Sequence, residues 1–270
     1  MSPEQGTRTV MEKKVTSDEE AAQQRTLGHR IWSGIRELGL ILLGALIISV
    51  VLRTFIGEMF LIPSGSMEQT LQIDDRVVVQ KMVDFQRGDI VVFEDHNSWL
   101  SIEPEDRGPF VSALEFIGVL PNASQNHLIK RVIGLPGDRV ECCDAEGRLM
   151  VNGVPIDESA YLYVNNQGEM VEPSEMRFAV VVPQDRIFVM GDHRNASSDS
   201  RCHLNDLVPG REDGDSAFIP VEAVVGSAVA IALPFENMRT FSVPEAFAAV
   251  PDPLEPAPDK PVIESADSTC

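Results

Sequence analysis

Two widely separated residues, Ser66 and Lys130, carry the side chains best suited to nucleophilic catalysis in this chain. Ser66 lies in the segment Pro63–Met67, where Gly65 and a second serine, Ser64, precede it. A serine hydroxyl attacks a carbonyl efficiently only when a base takes its proton. None of the 5 histidines has a recognisable triad context, and the Gly-x-Ser-x-Gly elbow of α/β-hydrolases is absent. Lysine is therefore the candidate base, as in the Ser-Lys variants of the serine triad.

Lys130 lies within an apolar segment, Leu128–Ile133, that is typical of a buried strand. Burial among apolar side chains can lower the pKa of a lysine by several pH units, so a neutral amine becomes available near neutral pH. Side chains alternate along a strand, so Leu128, Lys130 and Val132 share one face. The pattern predicts that Lys130 enters a site while Arg131, on the other face, stays at the surface.

Each motif also has an ordinary structural interpretation. A lone Ser-Gly-Ser is usually a turn, and a strand lysine next to arginine is usually a surface pair. In a third block, Gly191–Arg201, the Gly191-Asp192 dipeptide fits a turn and Asp199 with Arg201 fits an exposed ion pair of little energetic value. The occurrence of all three motifs behind one apolar run favours the catalytic interpretation.

That apolar run is uncharged from Leu38 to Leu52 and reaches spanning length when it is extended from Ile35 to Phe55. A cleavable signal peptide is one alternative, but Arg53–Gly57 offers no small-residue cleavage site. A buried core helix is another, and it is disfavoured because glycines and β-branched residues recur throughout the run. The sequence predicts an uncleaved transmembrane anchor at about residues 30–56.

Basic residues flank this anchor unequally. Arg25, Arg30 and Arg36 precede the run closely, whereas only Arg53 follows it closely. The positive-inside rule then predicts a single-pass protein with a cytoplasmic N-terminus and an extracytoplasmic main domain after Gly57. The 4 cysteines agree with an oxidising compartment.

Short strand-like segments separated by turn residues fill the rest of the chain. They predict a mainly β, antiparallel fold and include 76–80, 89–93, 128–133, 139–142, 149–151, 154–156, 176–182, 186–190 and 223–233. A formal charge of −20 argues against a nucleic-acid partner. No Cys/His/Asp cluster has metal-ligand spacing, and we expect neither a metal nor a cofactor.

The remaining segments give weaker patterns. Residues 1–29 and 241–270 are predicted to be disordered, the latter because it is rich in proline and acidic residues, and removal of 241–270 is expected to leave activity unaltered. Within 94–126, residues 110–120 roughly fit an amphipathic helix. A surface helix on the core is favoured over a segment at the lipid interface, since the polar face lacks Lys and Arg.

In motif order and content, the chain resembles the type I (leader) signal peptidases of bacteria, from about Arg53 to Leu233. The resemblance includes Pro63–Met67, Arg87–Phe93, His127–Asp138 and Gly191–Arg201. It implies a membrane-bound endopeptidase that cuts signal peptides from secretory preproteins after small residues of the A-x-A type. The implied partners are these signal peptides, membrane lipid and the export machinery.

The resemblance also implies residue roles. Ser66 is the nucleophile, Lys130 the general base, and Ser64 an oxyanion donor beside the Ser66 backbone N–H. Ser197 orients the lysine, and Asp199 and Arg201 form a supporting ion pair. Shallow apolar substrate pockets are lined by Ile62, Pro63, Met67, Leu71, Leu128 and Ile129. The implied fold is a catalytic β-domain (57–138 and 184–240) with an inserted β-domain (139–183).

Three residues depart from the family pattern: Gln69 replaces a common proline, Leu128 a frequent tyrosine and His193 a frequent asparagine. These changes affect the expected fine specificity rather than the Ser66–Lys130 pair.

The disulfide pattern stays open in the sequence. Adjacent Cys142 and Cys143 are not expected to bond to each other, so Cys202 can pair with either one, and Cys270 is expected to be free.

Two other functions fit parts of this pattern. A self-cleaving repressor-type peptidase shares the Ser-Lys chemistry, but it is soluble and carries a DNA-binding helix that this chain lacks. A non-enzymatic, membrane-tethered β-domain that binds envelope partners through the acidic tail is the second alternative.

Overall fold

The computed structural model describes residues 32–51, 57–100, 108, 111 and 126–267. Among them, helix α1 (Trp32–Val51) has 20 residues and is long and apolar enough to cross a membrane. At a rise of about 1.5 Å per residue, such a helix matches the hydrocarbon core of about 30 Å. Helix α1 begins three residues before the predicted core of the anchor at Ile35, and residues 52–56 lie outside the described part.

A second compact unit begins at Leu52, and the regular elements of its described residues are short strands and short 3-10 helices. The strands are β1 (Gly57–Leu61), β2 (Arg76–Gln80), β3 (Ile90–Glu94), β4 (His127–Gly134), β5 (Arg139–Cys142), β6 (Leu149–Val151), β7 (Val154–Pro155), β8 (Phe178–Val181), β9 (Arg186–Met190), β10 (Ile219–Pro220), β11 (Val224–Leu233), β12 (Arg239–Thr240) and β13 (Val262–Ala266). Every strand predicted from the sequence overlaps one of these. The expected mainly β fold is confirmed.

Two antiparallel sheets contain these strands. The larger has the order β1-β2-β11-β3-β4-β9-β10, with β12 added beside β11, and the smaller has the order β13-β8-β5-β6-β7. In the smaller sheet, Asn152 and Gly153 connect β6 to β7 with φ values of 51° and 77°. Positive φ at both positions is the signature of a tight hairpin turn, which the Asn-Gly dipeptide predicts.

Strand β4 occupies an interior position of the larger sheet, between β3 and β9. Its residues from Ile129 to Gly134 are all buried. Ile129 packs into one apolar cluster, whereas Val132 packs into another, so both faces of the strand are covered. The prediction that Arg131 stays at the surface is therefore wrong, and its side chain is buried with Lys130.

The chain after residue 240 also departs from its prediction. Strand β13 pairs with β8, and Phe247 is buried in a core cluster beside Val250 and Tyr161. A few apolar residues thus hold this proline-rich, acidic segment on the domain, and β8 gains a pairing partner. Such long-range pairing leaves little trace in local composition, and the predicted disorder is wrong for 241–267. Residues 268–270 lie outside the described part.

Two further expectations concern the cysteines and the segment 94–126. The structure joins Cys142 to Cys143, so the expectation that these neighbours do not bond to each other is wrong. Cys202 is also disulfide-bonded, but to neither of these two residues. Cys270 is not among the described residues. Of the predicted helix at 110–120, only Val111 is described, so the structure does not test that helix.

Candidate active site

Ser66 and Lys130 meet in the folded chain. Lys130 Nζ lies 2.7 Å from Ser66 Oγ, although 64 positions separate the two residues. Lys130 is held by β4, opposite Val91 of β3. Ser66 belongs to a turn after β1 that is closed by hydrogen bonds from Glu68 N to the Gly65 carbonyl and from Leu71 N to the Met67 carbonyl. The exposed fractions are only 6% for Ser66 and 2% for Lys130.

The surroundings of Lys130 favour its neutral form. Burial of the ammonium lowers the pKa of Lys130 from 10.5 to about 8, and the nearby Arg201 guanidinium adds to this effect. The carboxylates of Asp199 and Asp192 act in the opposite direction. Nζ also donates to the Ile129 carbonyl at 3.1 Å, which fixes the amine beside Ser66. The pair can therefore transfer a proton near neutral pH.

Arg131 forms a buried, bidentate ion pair with Asp192. The Nε–Oδ1 and Nη2–Oδ2 distances are 2.8 and 2.6 Å. Asp192 Oδ2 also accepts a hydrogen bond from Thr70 Oγ1, just after the Ser66 turn. The Tyr161 ring lies 4.1 Å from the guanidinium carbon in a cation–π contact. Through Arg131 and Asp192, strand β4, which carries Lys130, is thus tied to the segment that carries Ser66. The interpretation of Gly191-Asp192 as an ordinary turn missed this role of Asp192.

The third block folds against this pair. Asp199 and Arg201 form a buried ion pair with an Nη2–Oδ2 distance of 2.9 Å, rather than an exposed one. Burial raises the pKa of the Asp199 carboxyl, but the Arg201 guanidinium and the Gly191 backbone N–H lower it by more. Gly191 must lack a side chain, because a Cβ there would lie 2.5 Å from the Ser66 carbonyl oxygen. This close approach brings the block directly onto the Ser66 turn.

The two auxiliary serines differ in their contacts. Ser64 is exposed, and its Oγ lies 3.5 Å from Ser66 Oγ. Ser197 is 7% exposed, and its Oγ has no hydrogen-bond partner among the described residues. The structure therefore brings Ser64 close to Ser66, whereas Ser197, which the resemblance gives as the residue that orients Lys130, makes no hydrogen bond to it.

The residues predicted to line substrate pockets fall into two groups. Ile62, Met67, Leu71 and Ile129 are buried together in one apolar cluster. Pro63 is exposed and Leu128 is partly buried, so these two present more surface to a ligand. Met67 and Leu71 are fully buried, so they pack in the core next to Ser66 and do not line an open pocket.

A cleft of about 790 Å³ opens elsewhere on the same unit. Its lining includes Thr70, Arg131 and Tyr161 but neither Ser66 nor Lys130. Ser66 and Lys130 thus lie outside this cleft. Within the described ranges, no three His, Cys, Asp or Glu side chains form a group that could hold a metal ion.

Comparisons with known proteins show the family to which the chain is similar. The family model "Signal peptidase, peptidase S26" matches residues 35–233. A signal peptidase I of Mycobacterium tuberculosis is 35% identical over 228 residues, covering 75% of this chain and 74% of that protein. A protein of Mycobacterium leprae named "Probable signal peptidase I" is 35% identical over 226 residues, with 75% and 77% coverage.

Among solved structures, a signal peptidase I from Enterococcus faecalis is matched. It is 23% identical and covers 54% of this chain and 97% of that chain. Its TM-score of 0.30 is too low to support a comparison of folds.

Proposed function

The chain belongs to the signal peptidase family, peptidase S26, and we propose that it is a membrane-bound signal peptidase I that removes signal peptides from exported preproteins. In this proposal, Ser66 is the nucleophile and Lys130 the general base, and cleavage follows small residues at A-x-A sites. The observation that carries the proposal is the buried 2.7 Å contact between Lys130 Nζ and Ser66 Oγ.

Acylation begins from the neutral amine of Lys130. With a pKa of about 8, roughly a tenth of the free enzyme holds this form at pH 7. Lys130 Nζ takes the proton of Ser66 Oγ as this oxygen attacks the carbonyl carbon of the scissile bond. The resulting ammonium then protonates the leaving amine, and the bond between carbonyl and nitrogen breaks to give an acyl-enzyme.

The tetrahedral intermediate needs hydrogen-bond donors for its oxyanion. Ser64 Oγ and the Ser66 backbone N–H are the proposed donors, and the position of Ser64 beside Ser66 Oγ supports this role. In deacylation, Lys130 takes a proton from water as that water attacks the acyl carbonyl carbon. The ammonium then returns the proton to Ser66 Oγ as the ester bond breaks, which releases the peptide as a carboxylic acid and restores the hydroxyl and the neutral amine. Asp199, Arg201 and Ser197 are proposed to position the lysine from the third block.

The membrane placement is proposed from α1 and its flanking charges. An N-terminus in the cytoplasm puts the strand-rich unit on the outer side, where membrane-anchored preproteins emerge with the export machinery. Protease added to intact spheroplasts is expected to digest the strand-rich unit and to spare an N-terminal tag. Protection of that unit in sealed cells would contradict this topology.

The domain division also remains a proposal. The smaller sheet draws four strands, β5 to β8, from the proposed insertion at 139–183, which supports the division. The fifth strand, β13, comes from the C-terminal segment, so the smaller sheet needs a part of the chain beyond that insertion.

The direct experiment incubates the purified protein with a preprotein whose leader ends in A-x-A and sequences the new N-terminus. Cleavage after that site by the wild type, and its loss in Ser66→Ala, are the expected results. A hydroxyl-directed covalent probe should also label Ser66. Absence of both cleavage and labelling would instead favour a non-enzymatic, membrane-tethered binding domain.

A further inference from the structure

His193 contacts both sides of the candidate nucleophile. Its backbone N–H donates to the Ser66 carbonyl at 3.1 Å. Its Nδ1 lies 2.9 Å from Glu68 Oε2 and 3.3 Å from the Gly65 carbonyl oxygen. Main-chain and side-chain contacts from one residue thus bracket the short turn in which Ser66 lies.

The imidazole of His193 is itself held in place. It stacks on the Tyr163 ring with centroids 3.8 Å apart and an interplanar angle of 21°. Tyr163 is anchored in turn, because its backbone N–H donates to the Asp192 carbonyl. The exposed side-chain fractions are 15% for His193 and 28% for Glu68, so the pair is partly shielded from water.

Glu68 completes the turn from the other side. Its backbone N–H donates to the Gly65 carbonyl at 3.0 Å. Its carboxyl group folds back so closely that a Cβ on Gly65 would lie 2.9 Å from Glu68 Cδ. The side chain therefore covers the residue just before Ser66, and its direction is fixed by His193.

We propose that His193 is a positioning residue, which acts with Glu68 to hold the Ser66 turn so that Oγ stays within reach of Lys130. The inference rests on the proposed function, because it assumes that Ser66 is the nucleophile. Loss of the pair lets the turn shift relative to β4, and a misplacement of about 1 Å can cost as much as 10²-fold in rate. We expect the deficit in kcat, since the contacts of the pair are made to the Ser66 turn.

The test uses His193→Ala, Glu68→Ala, the double variant and the conservative Glu68→Gln, with kcat and KM for an A-x-A leader peptide. Each alanine variant is expected to lower kcat roughly threefold to tenfold with little change in KM. The double variant should be no slower than the slower single one. Glu68→Gln should recover most of the activity, because its amide oxygen still accepts a hydrogen bond from the imidazole.

A matched control pair, His203 with Asp206, contacts Trp99 rather than the Ser66 turn. His203 Nδ1 lies 2.7 Å from Asp206 Oδ2, and the His203 ring stacks on Trp99 with centroids 4.5 Å apart. Like His193, His203 pairs with a carboxylate, stacks on an aromatic ring and has a side chain that is 15% exposed. His203→Ala therefore removes a similar set of contacts. Measured per folded molecule at a temperature well below each Tm, this variant should keep the wild-type kcat.

Three outcomes would overturn the inference. An unchanged kcat in folded His193→Ala would do so, as would effects of His193→Ala and Glu68→Ala that multiply independently. Both results leave the proposed function intact if Ser66→Ala is inactive. Normal cleavage by Ser66→Ala would overturn the proposed function and this inference together, so the two failures are distinguishable.

Discussion

Arg131, the neighbour of Lys130 on β4, forms a buried two-point ion pair with Asp192, with nitrogen–oxygen distances of 2.8 and 2.6 Å. The exposed fractions of their side chains are 4% and 0%. The pair joins β4 to the loop that follows β9, and through Thr70 it reaches the Ser66 turn. A buried pair of this kind fixes relative positions more than it adds net stability.

Removing one partner of this pair should destabilise the fold. Arg131→Met leaves the Asp192 carboxylate buried without its cation, and the expected cost is about 3–5 kcal/mol in the free energy of unfolding, measured with urea. Arg148→Met is the control, since Arg148 pairs with Asp144 at the surface and should change stability little. Equal, small effects of both substitutions would contradict the structural role of the Arg131–Asp192 pair.

Ser64→Ala tests the oxyanion donor. Loss of one such donor typically raises the barrier by about 2.7–4 kcal/mol, so kcat should fall strongly while KM changes little. Ser159→Ala, at another exposed serine, should leave both constants unaltered. A rise in KM alone would make Ser64 a substrate-pocket or turn residue instead.

The C-terminal segment should contribute to stability, contrary to the expectation from its composition. Phe247 is 4% exposed in a core cluster, and Phe247→Ala should cost about 3–5 kcal/mol in the free energy of unfolding. Leu254 is fully exposed, so Leu254→Ala serves as the matched control and should leave the free energy of unfolding unchanged. Truncation after Thr240 should reduce the folded yield, and an unaltered Tm after truncation would contradict the packing of this segment.

The sequence predicted the strands well, and the structure brings Ser66 and Lys130, the proposed catalytic pair, into contact. Runs of valine and isoleucine, with turn residues between them, identify strands locally, and a lysine inside an apolar strand is a conspicuous feature. The burial of Arg131 could not be predicted, because it depends on which strands flank β4 and on what covers the two faces of β4. The pairing of β13 with β8 and the contact of His193 with Glu68 are likewise long-range, and no local pattern encodes them.

The central claim is that neutral Lys130 is the base, and the pH dependence of kcat/KM tests it most directly. Burial lowers the pKa of Lys130 to about 8, so kcat/KM should rise with pH through a midpoint near 8, well below the ordinary lysine value of 10.5. Lys130→Arg should be inactive, since a guanidinium stays protonated throughout this range. Lys130→Ala should fold and be equally inactive. A midpoint near 10.5, or near-normal cleavage by either variant, would contradict the account and assign the base to another group.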